Sequence, residues 1–212
     1  GGPKLLPSML LACRFALAST PGRTLASAVQ KPAELVGVCT RESSAVVRTE
    51  TRATVRAQNL PHRCSYCLVV DCADGATQRV LVQKRVAWKE TYPSHFDPCP
   101  GGVMGPDETF EQNAARELEE EMGIVPGSAL APQPPQHLFD FWFEDASVRN
   151  WGRLFKVTFK GHLTDLSLQD DEVESVSWMG REELARLLDS GPVCPDAELA
   201  CRRWLASSGA ES

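Results

Sequence analysis

The chain has 212 residues, of which 42% are apolar and 24% charged, and its formal net charge at pH 7 is −6. This length accommodates one domain of ordinary size plus an extension, and the apolar content is sufficient for a buried core. The acidic balance excludes a protein that simply coats a nucleic-acid polymer, but a small phosphorylated substrate remains compatible because a bound cation can reverse the local charge.

The first part of the chain differs in composition from the rest. Before Glu34 there is no acidic residue, while the basic residues are Lys4, Arg14, Arg23 and Lys31. An acid-poor leader that contains arginine and serine resembles an organellar transit peptide, and a disordered tail or a truncation remnant explains the composition equally well. The apolar run over residues 9–18 is too short to span a membrane. We expect an N-terminal extension over residues 1–33, a domain over 34–208 and a tail over 209–212, in the cytoplasm or in a mitochondrion or plastid.

Eight cysteines are spread irregularly along the chain, and Cys64 and Cys67 form the only CxxC pair. The pair lies in a strand-like run, where residues three apart face opposite sides, which is wrong for holding one zinc ion. Buried or free thiols in a reducing compartment are therefore favoured over a zinc site.

Hydrophobic periodicity and turn residues predict a mixed α/β domain with helices on both faces of the sheet. The predicted elements are a hairpin over residues 34–50, a short helix over 51–60, strands over 64–71 and 79–84 joined by a turn at Asp74-Gly75, a helix over 108–122, strands over 137–144, 151–159 and 173–178, and helices over 181–189 and 195–206. Asp107 is a candidate N-cap of the 108–122 helix, and Gly123 is expected to end that helix. The hairpin has no evident role in catalysis, and we expect that it could support a homodimer.

Three glutamates in the 108–122 helix carry the chemistry. Glu117, Glu120 and Glu121 share one face of the helix at about 100° per residue. Like charges at this spacing repel, and acids near a helix C-terminus oppose the macrodipole, so the cluster indicates a bound divalent cation. Oxygen-only ligands suit Mg²⁺, with Mn²⁺ as a substitute. Taken without their neighbours, the glutamates are better explained as a solvated acidic helix face.

Two glycines favour the metal interpretation. Gly101 and Gly102 allow the backbone to approach a ligand closely just before the helix. A backbone carbonyl there is suited to complete a metal site, and free N–H groups are suited to meet phosphate oxygens. Together with an arginine that orients a glutamate, this set indicates metal-assisted phosphoryl chemistry with an activated water.

The segment over residues 102–124 resembles the Nudix box, in which a glycine, five residues, a glutamate and seven residues precede R-E-U-x-E-E-x-G-U, where U is bulky and apolar. Every defined position is matched, by Gly102, Glu108, Arg116, Glu117, Leu118, Glu120, Glu121, Gly123 and Ile124. Further segments between residues 34 and 206 resemble the YfcD-type branch of bacterial Nudix hydrolases. The resemblance implies a Nudix fold, in which a mixed β-sheet is sandwiched between α-helices. It also implies Mg²⁺-dependent hydrolysis of a nucleoside diphosphate linked to another moiety.

Carried over position by position, the resemblance implies a metal site. Its ligands would be Glu117, Glu120, Glu121 and the carbonyl oxygen of Gly101. Glu117 and Glu120 would also count as catalytic residues, and Arg116 would hold the site in shape by pairing with Glu108 or Glu117.

Several other assignments keep alternatives open. The general base is Glu117 or Glu172, and for the loop that carries Glu172 a solvated turn is the alternative. Substrate contacts are expected from Gly101, Gly102, Arg85 and Cys99. Arg85 could instead solvate a strand edge, and Cys99 could pack in the loop. Alternate members of the aromatic run at residues 139–143 are expected to pack the core, although one ring could stack on a base.

Two rival functions are disfavoured. The branch is similar to type I isopentenyl diphosphate isomerase, which uses a cysteine acid in an N-S-x-C-x-H stretch. Here Cys99 stands one residue early, Gly102 replaces the metal-binding histidine, and the second catalytic glutamate is missing near Asn150. The histidines are not clustered, standing at His62, His95, His137 and His162. A binding module without catalysis would have no reason to keep mutually repelling acids together.

Overall fold

The computed structural model describes residues 34–71 and 78–208. The predicted extension with its transit-peptide-like composition, the turn at Asp74-Gly75 and the C-terminal tail lie outside the described residues. Within those two ranges, no helix is long and apolar enough to cross a membrane.

The described residues form nine strands and four helices in mixed order. The strands are β1 Leu35–Val38, β2 Arg48–Thr51, β3 His62–Asp71, β4 Val80–Arg85, β5 Phe96–Asp97, β6 Gly101–Val103, β7 Gln136–Glu144, β8 Arg149–Phe159 and β9 Val173–Met179. The helices are α1 Arg52–Ala57, α2 Phe110–Met122, α3 Arg181–Ser190 and α4 Pro195–Ser208.

β3 is the centre of the sheet. One edge of β3 pairs in parallel with β8 along its whole length, and β8 also pairs antiparallel with β7. The other edge is shared by β1 at its start, β6 in its first half and β4 at its end. Because β4 pairs with β3 only through Val70 and Val80, the rest of β4 leaves β3 and pairs with β5 and β9. The sheet therefore splits between β6 and β4.

Alternation along β3 builds two separate cores, one on each face of the sheet. Cys67 and Val69 belong to the core that contains the apolar stripe of α2. Tyr66, Leu68 and Val70 belong to the core that contains residues of α3 and α4. Since residues on a strand alternate between faces, helices must cover both sides of the sheet. The predicted α/β/α arrangement is thus confirmed.

The two cysteines of the CxxC pair follow the same alternation. Cys64 lies in the α3–α4 core and Cys67 in the α2 core, with exposed fractions of 6% and 0%. Burial raises the pKa of both thiols well above the ordinary value. The prediction that these two residues do not form one metal site is confirmed.

The helices and longer strands lie where the periodicity predicts them, with ends shifted by a few residues. The hairpin is confirmed, since β1 and β2 pair antiparallel from Leu35–Thr51 to Val38–Arg48. The homodimer through this hairpin stays a prediction. β5 and β6 were not predicted, because strands of two and three residues next to prolines are too short to display alternation.

The start of α2 corrects the predicted N-cap. Thr109, not Asp107, caps the helix: its hydroxyl accepts the N–H of Gln112 at 3.2 Å, and the Gln112 side chain accepts the N–H of Thr109 at 2.9 Å. This reciprocal pair is a capping box, which satisfies two free backbone donors at once. Gly123 ends the helix as predicted, with a left-handed φ of 69° that favours glycine.

Replacing Thr109 with alanine removes half of the capping box. We expect Thr109→Ala to lower the free energy of unfolding by about 1 kcal/mol. Urea unfolding followed by circular dichroism measures the change, and Thr164→Ala, at another exposed threonine, serves as the control. Equal stability of the two variants would contradict the capping role.

Candidate active site

The C-terminal half of α2 brings the three predicted glutamates together but in different environments. The side chain of Glu117 is 14% exposed and that of Glu120 is 53% exposed, while Glu121 as a whole residue is 6% exposed. Burial raises the pKa of Glu117, and the nearby Glu120 carboxylate adds to this effect. Burial also raises the pKa of Glu121, to about 8, with further contributions from Glu117 and Asp97. The chain therefore holds carboxylates where their negative charge is poorly solvated.

Arg116 links these glutamates to the loop before the helix. Its Nε lies 2.9 Å from Glu108, and its Nη1 lies 2.8 Å from Glu117 and 2.9 Å from Glu120. The sequence predicts a pair with Glu108 or with Glu117, and the structure has both. Glu108 also accepts the N–H of Gly105 at 3.0 Å. Burial opposes ionisation of Glu108, but these donors outweigh it and hold its pKa below the ordinary value.

Glu121 reaches the split in the sheet. Its carboxylate accepts a hydrogen bond from Gln83 Nε2 at 3.2 Å, and the same nitrogen lies 3.5 Å from Asp97 Oδ2. Gln83 is opposite Asp97 in the β4–β5 register. The buried Gln83 Oε1 has no hydrogen-bond partner. Sequence reasoning missed the roles of Gln83 and Asp97, although a glutamine inside the apolar β4 is a signal that could have identified the first.

Gly101 and Gly102 are required because neighbouring atoms lie too close to their backbone for a side chain to fit. A Cβ at Gly102 would overlap the carboxylate of Glu117, and a Cβ at Gly101 would overlap the carbonyl oxygen of Ser65. The N–H of Cys67 bonds to Pro100 O at 2.8 Å and that of Met104 bonds to Arg63 O at 3.0 Å. Because hydrogen-bonded and non-hydrogen-bonded pairs alternate in an antiparallel ladder, the carbonyl of Gly101 points away from β3.

The chemistry of these groups fits a hard divalent cation. The predicted ligands offer only oxygen atoms, and the carboxylate of Glu117 contributes to the raised pKa of Glu121. In the part of the chain that the structure describes, no three His, Cys, Asp or Glu side chains already converge closely enough to hold a metal ion. Arg116 instead supplies the positive charge next to Glu117 and Glu120. The metal ligands stay a prediction.

Glu172 lies near this region, on the loop that precedes β9. The loop is attached to the end of α2, since the N–H of Gln169 bonds to Glu121 O at 3.0 Å. The carboxylate of Glu172 forms an ion pair with Lys89. Its assignment as general base stays a prediction.

Arg85 points into the protein. Its side chain is 15% exposed, Nη2 donates to Thr91 O at 3.2 Å, and Nη1 lies 3.9 Å from Asp97 Oδ2. Its Nε is buried and has no hydrogen-bond partner. The alternative in which Arg85 merely solvates a strand edge is therefore wrong.

Cys99 requires a correction. Its exposed fraction is 0%, its amide donates to Asp97 Oδ1 at 3.0 Å, and its thiol is hydrogen-bonded with Cys201 of α4. Burial raises the pKa of this thiol well above the ordinary value. Because the side chain packs within the α3–α4 core, Cys99 presents no surface to a substrate, and the alternative of packing replaces the predicted contact.

A buried polar chain lies on the α4 side of the sheet. Asn150 donates to the hydroxyl of Tyr66 at 2.7 Å, and Tyr66 donates to Asp196 at 2.8 Å. Burial raises the pKa of Asp196 to about 6, and the nearby Asp97 carboxylate adds to this effect. The aromatic run on β7 flanks this chain, with Phe141 and Phe143 buried in the same core as predicted.

A family model of the NUDIX domain matches residues 61–196, which is more than half of the chain. The chain belongs to the Nudix family. The Nudix hydrolase YfcD of Escherichia coli strain K12 is 35% identical over 164 residues, which cover 77% of this chain and 83% of the relative. The Nudix hydrolase SCO1686 of Streptomyces coelicolor is 32% identical over 175 residues, which cover 79% and 88%.

Solved structures agree with the predicted Nudix fold. DR0079 from Deinococcus radiodurans has a TM-score of 0.63 at 17% identity, covering 80% of this chain and 98% of that chain. The MutT protein from Methanosarcina mazei Go1 has a TM-score of 0.52 at 21% identity, with coverage of 68% and 94%. These likenesses concern the fold alone.

Membership of the family defines the class of enzyme. Nudix hydrolases act on pyrophosphate bonds of small phosphorylated substrates, so this chain is a hydrolase of acid anhydrides that contain phosphorus. The two sequence relatives described above are bacterial proteins, which gives no support to the predicted mitochondrial or plastid location.

A methyl group at Gly102 would displace the carboxylate of Glu117. We expect Gly102→Ala to lower the rate of hydrolysis by at least about tenfold, since small misplacements at an active site are costly. The matched control is Gly180→Ala, because a Cβ at Gly180 meets nothing within 4 Å. Initial rates and circular dichroism distinguish lost positioning from lost folding, and a Gly102→Ala variant with full activity would contradict the close approach.

The raised pKa of Asp196 predicts that the stability of the protein depends on pH. Its pKa is raised to about 6 from the ordinary 3.8, so its stabilising contribution is complete below the lower value and is lost as pH rises through the higher one. This loss is at most about 3 kcal/mol. The free energy of unfolding, measured with urea at about pH 4 and about pH 6.5, should fall less between these two pH values in Asp196→Asn than in the unmodified chain.

The exposed Asp170 provides the control for this measurement. Asp170→Asn should retain the same difference between the two pH values as the unmodified chain. If Asp196→Asn behaves like Asp170→Asn, the buried carboxyl group does not titrate as described.

Proposed function

We propose that this Nudix hydrolase uses Mg²⁺, with Mn²⁺ as a substitute, to cleave the diphosphate linkage of a nucleoside diphosphate joined to another moiety. Water would attack phosphorus. One observation carries the proposal: the poorly solvated side chains of Glu117 and Glu121 lie one helical turn apart on α2, and Gly102 leaves room for no side chain beside the carboxylate of Glu117. Such a cluster is stabilised by a divalent cation.

The residues of the proposed metal site are Glu117, Glu120, Glu121 and the carbonyl oxygen of Gly101. A bound divalent cation would neutralise charge on phosphate oxygens and lower the pKa of the attacking water. The substrate would meet the backbone at Gly101 and Gly102, where the space of the absent side chains is taken by Ser65 and Glu117 and the carbonyl of Gly101 points away from β3.

Other side chains position these groups. Arg116 is tied to Glu108 and holds Glu117 and Glu120 at fixed separation. Gln83 holds the carboxylate of Glu121 through a hydrogen bond. The proton of the attacking water would pass to a carboxylate. Glu117, itself one of the proposed ligands, is the first candidate for this general base.

Glu172 is the second candidate for the base. To accept a proton it would have to leave its ion pair with Lys89. Glu117 is also ion-paired, with Arg116 at 2.8 Å, but burial already raises its pKa, which brings a carboxylate closer to the range of an effective base at neutral pH.

Isomerisation of isopentenyl diphosphate receives no support from the geometry. The reaction needs a cysteine that reaches the substrate, whereas Cys99 is fully buried. The position of the second catalytic glutamate holds Asn150, which is fully buried and donates to Tyr66. The histidines are not clustered: the rings of His62, His95 and His137 bond to Leu60, Pro93 and Asp140, and the backbone N–H of His162 donates to Asp165.

The proposal is tested with a substrate panel in the presence of Mg²⁺. The panel contains nucleotide sugars, dinucleoside polyphosphates, NADH, coenzyme A and isopentenyl diphosphate, and phosphate is measured after phosphatase treatment. We expect hydrolysis of at least one nucleotide substrate. Glu120→Gln and Glu121→Gln should each reduce this rate by roughly a hundredfold or more, since each removes a charged group that acts in the transition state.

Glu119→Gln is the matched control, because Glu119 lies on the same helix and is exposed. It should keep nearly full activity. Conversion of isopentenyl diphosphate without phosphate release would indicate an isomerase. Binding of a nucleotide without turnover would indicate a module that has lost catalysis, and either outcome would refute the proposed hydrolysis.

A further inference from the structure

Four basic residues lie around the split in the sheet, and only one of them was assigned to the substrate above. Arg52 and Arg56 are four residues apart on α1 and therefore share a face of that helix. Arg85 ends β4, and Lys89 follows it in the next loop. We call these four residues the basic cluster.

The members of the basic cluster are close enough to repel one another. Burial lowers the pKa of Lys89 to about 8, and repulsion from Arg85, Arg52 and Arg56 contributes to this value. The pKa of Arg56 is lowered by burial and then by Arg52, with a further contribution from Arg85. Like charges gathered in this way destabilise the fold unless anions lie among them. Within the chain, Glu172 pairs with Lys89, and Asp97 lies 3.9 Å from Arg85.

The acidic partners of Arg52 and Arg56 compensate the positive charge of these two residues only weakly. Arg52 pairs with Glu34 at 2.6 Å and Arg56 pairs with Glu90, but the side chains of these acids are 54% and 73% exposed. Ion pairs with exposed acids contribute little, because water competes for both charges.

Two buried donors in the basic cluster are unsatisfied. Arg52 Nε and Arg85 Nε are both buried, and neither has a hydrogen-bond partner. A buried guanidinium N–H without an acceptor is costly. A ligand that brings several acceptor oxygens would remove this cost, and phosphate is such a ligand because guanidinium groups bind it in bidentate fashion.

The basic cluster also faces the glutamates of α2. The positive charge of Arg52 lowers the pKa of Glu117, and that of Arg85 lowers the pKa of Glu121. Lys89 is in turn influenced by Glu121. The carboxylates of α2 and the basic cluster are thus close enough to influence each other electrostatically.

We propose that Arg52, Arg56, Arg85 and Lys89 bind the phosphate oxygens of the diphosphate substrate that are not held through the carboxylates of α2. This inference rests on the proposed diphosphate substrate, and it assigns to α1 a binding role outside the Nudix box. Arg52 and Arg56 are the specific contribution of α1, which follows directly after the N-terminal hairpin.

The test uses inorganic pyrophosphate as the probe and the full chain without divalent cation, in the presence of a chelator. Isothermal titration calorimetry should detect binding, although the chain has a net charge of −6 that repels anions in general. Arg52→Gln and Arg56→Gln should each raise the dissociation constant by about tenfold or more, because each removes charge-assisted hydrogen bonds.

Arg48→Gln is the matched control, since Arg48 pairs with Glu50 on the exposed strand β2 and carries the same charge. It should bind pyrophosphate as the unmodified chain does. Circular dichroism monitors folding. If Arg52→Gln does not fold, Arg52→Lys serves in its place, because it keeps the positive charge next to Glu34 but lacks the planar guanidinium group. Arg52→Lys should still weaken the binding of pyrophosphate.

Three outcomes would overturn the inference: no binding by the unmodified chain, unchanged binding by the α1 variants, or equal weakening by Arg48→Gln. Failure of the proposed function is distinguishable from these outcomes. A chain that hydrolyses nothing in the panel but binds pyrophosphate through Arg52 and Arg56 would refute the hydrolysis and leave the phosphate site standing.

Discussion

The burial of neighbouring carboxylates at the end of α2 is the constraint on which the rest of the site depends. Burial raises the pKa of both Glu117 and Glu121, and the neighbouring carboxylates Glu120 and Glu117, respectively, add to the two effects. The chain meets this cost with neighbouring groups: Arg116 from the same helix, Gln83 from β4, and a glycine backbone that leaves space for the Glu117 carboxylate. Stability alone would not favour such an arrangement, so it indicates selection for chemistry.

The fold provides the place for these charges. β3 shares one edge between β6 and β4, and the separation of β4 from β6 creates the split that receives Glu121 and Gln83. The apolar stripe of α2 fixes the helix on one face of the sheet. Its glutamates are thereby held beside the split without a loop of their own, and rigid elements of this kind position functional groups better than loops do.

Much of this arrangement could be predicted from local patterns. The periodicity of α2 and the spacing of Gly102, Arg116 and the glutamates depend on neighbours along one helix, so the sequence indicates them directly. The capping box of Thr109 and Gln112 also follows a local sequence pattern, although the prediction placed the N-cap at Asp107. Pairing of Gln83 with Asp97 and burial of Cys99 against Cys201 depend on residues far apart in the chain. No periodicity encodes such tertiary contacts, and β5 and β6 are too short to have any.

The ion pairs of Arg116 with Glu117 and Glu120 have a further consequence for the enzyme. Because the guanidinium group of Arg116 pairs with Glu117 and Glu120, the folded state carries its own counter-ion for these two carboxylates. Folding would then not depend on the proposed cation, unlike in domains that assemble only around their metal. Uptake of that cation would therefore change turnover while the polypeptide keeps its shape.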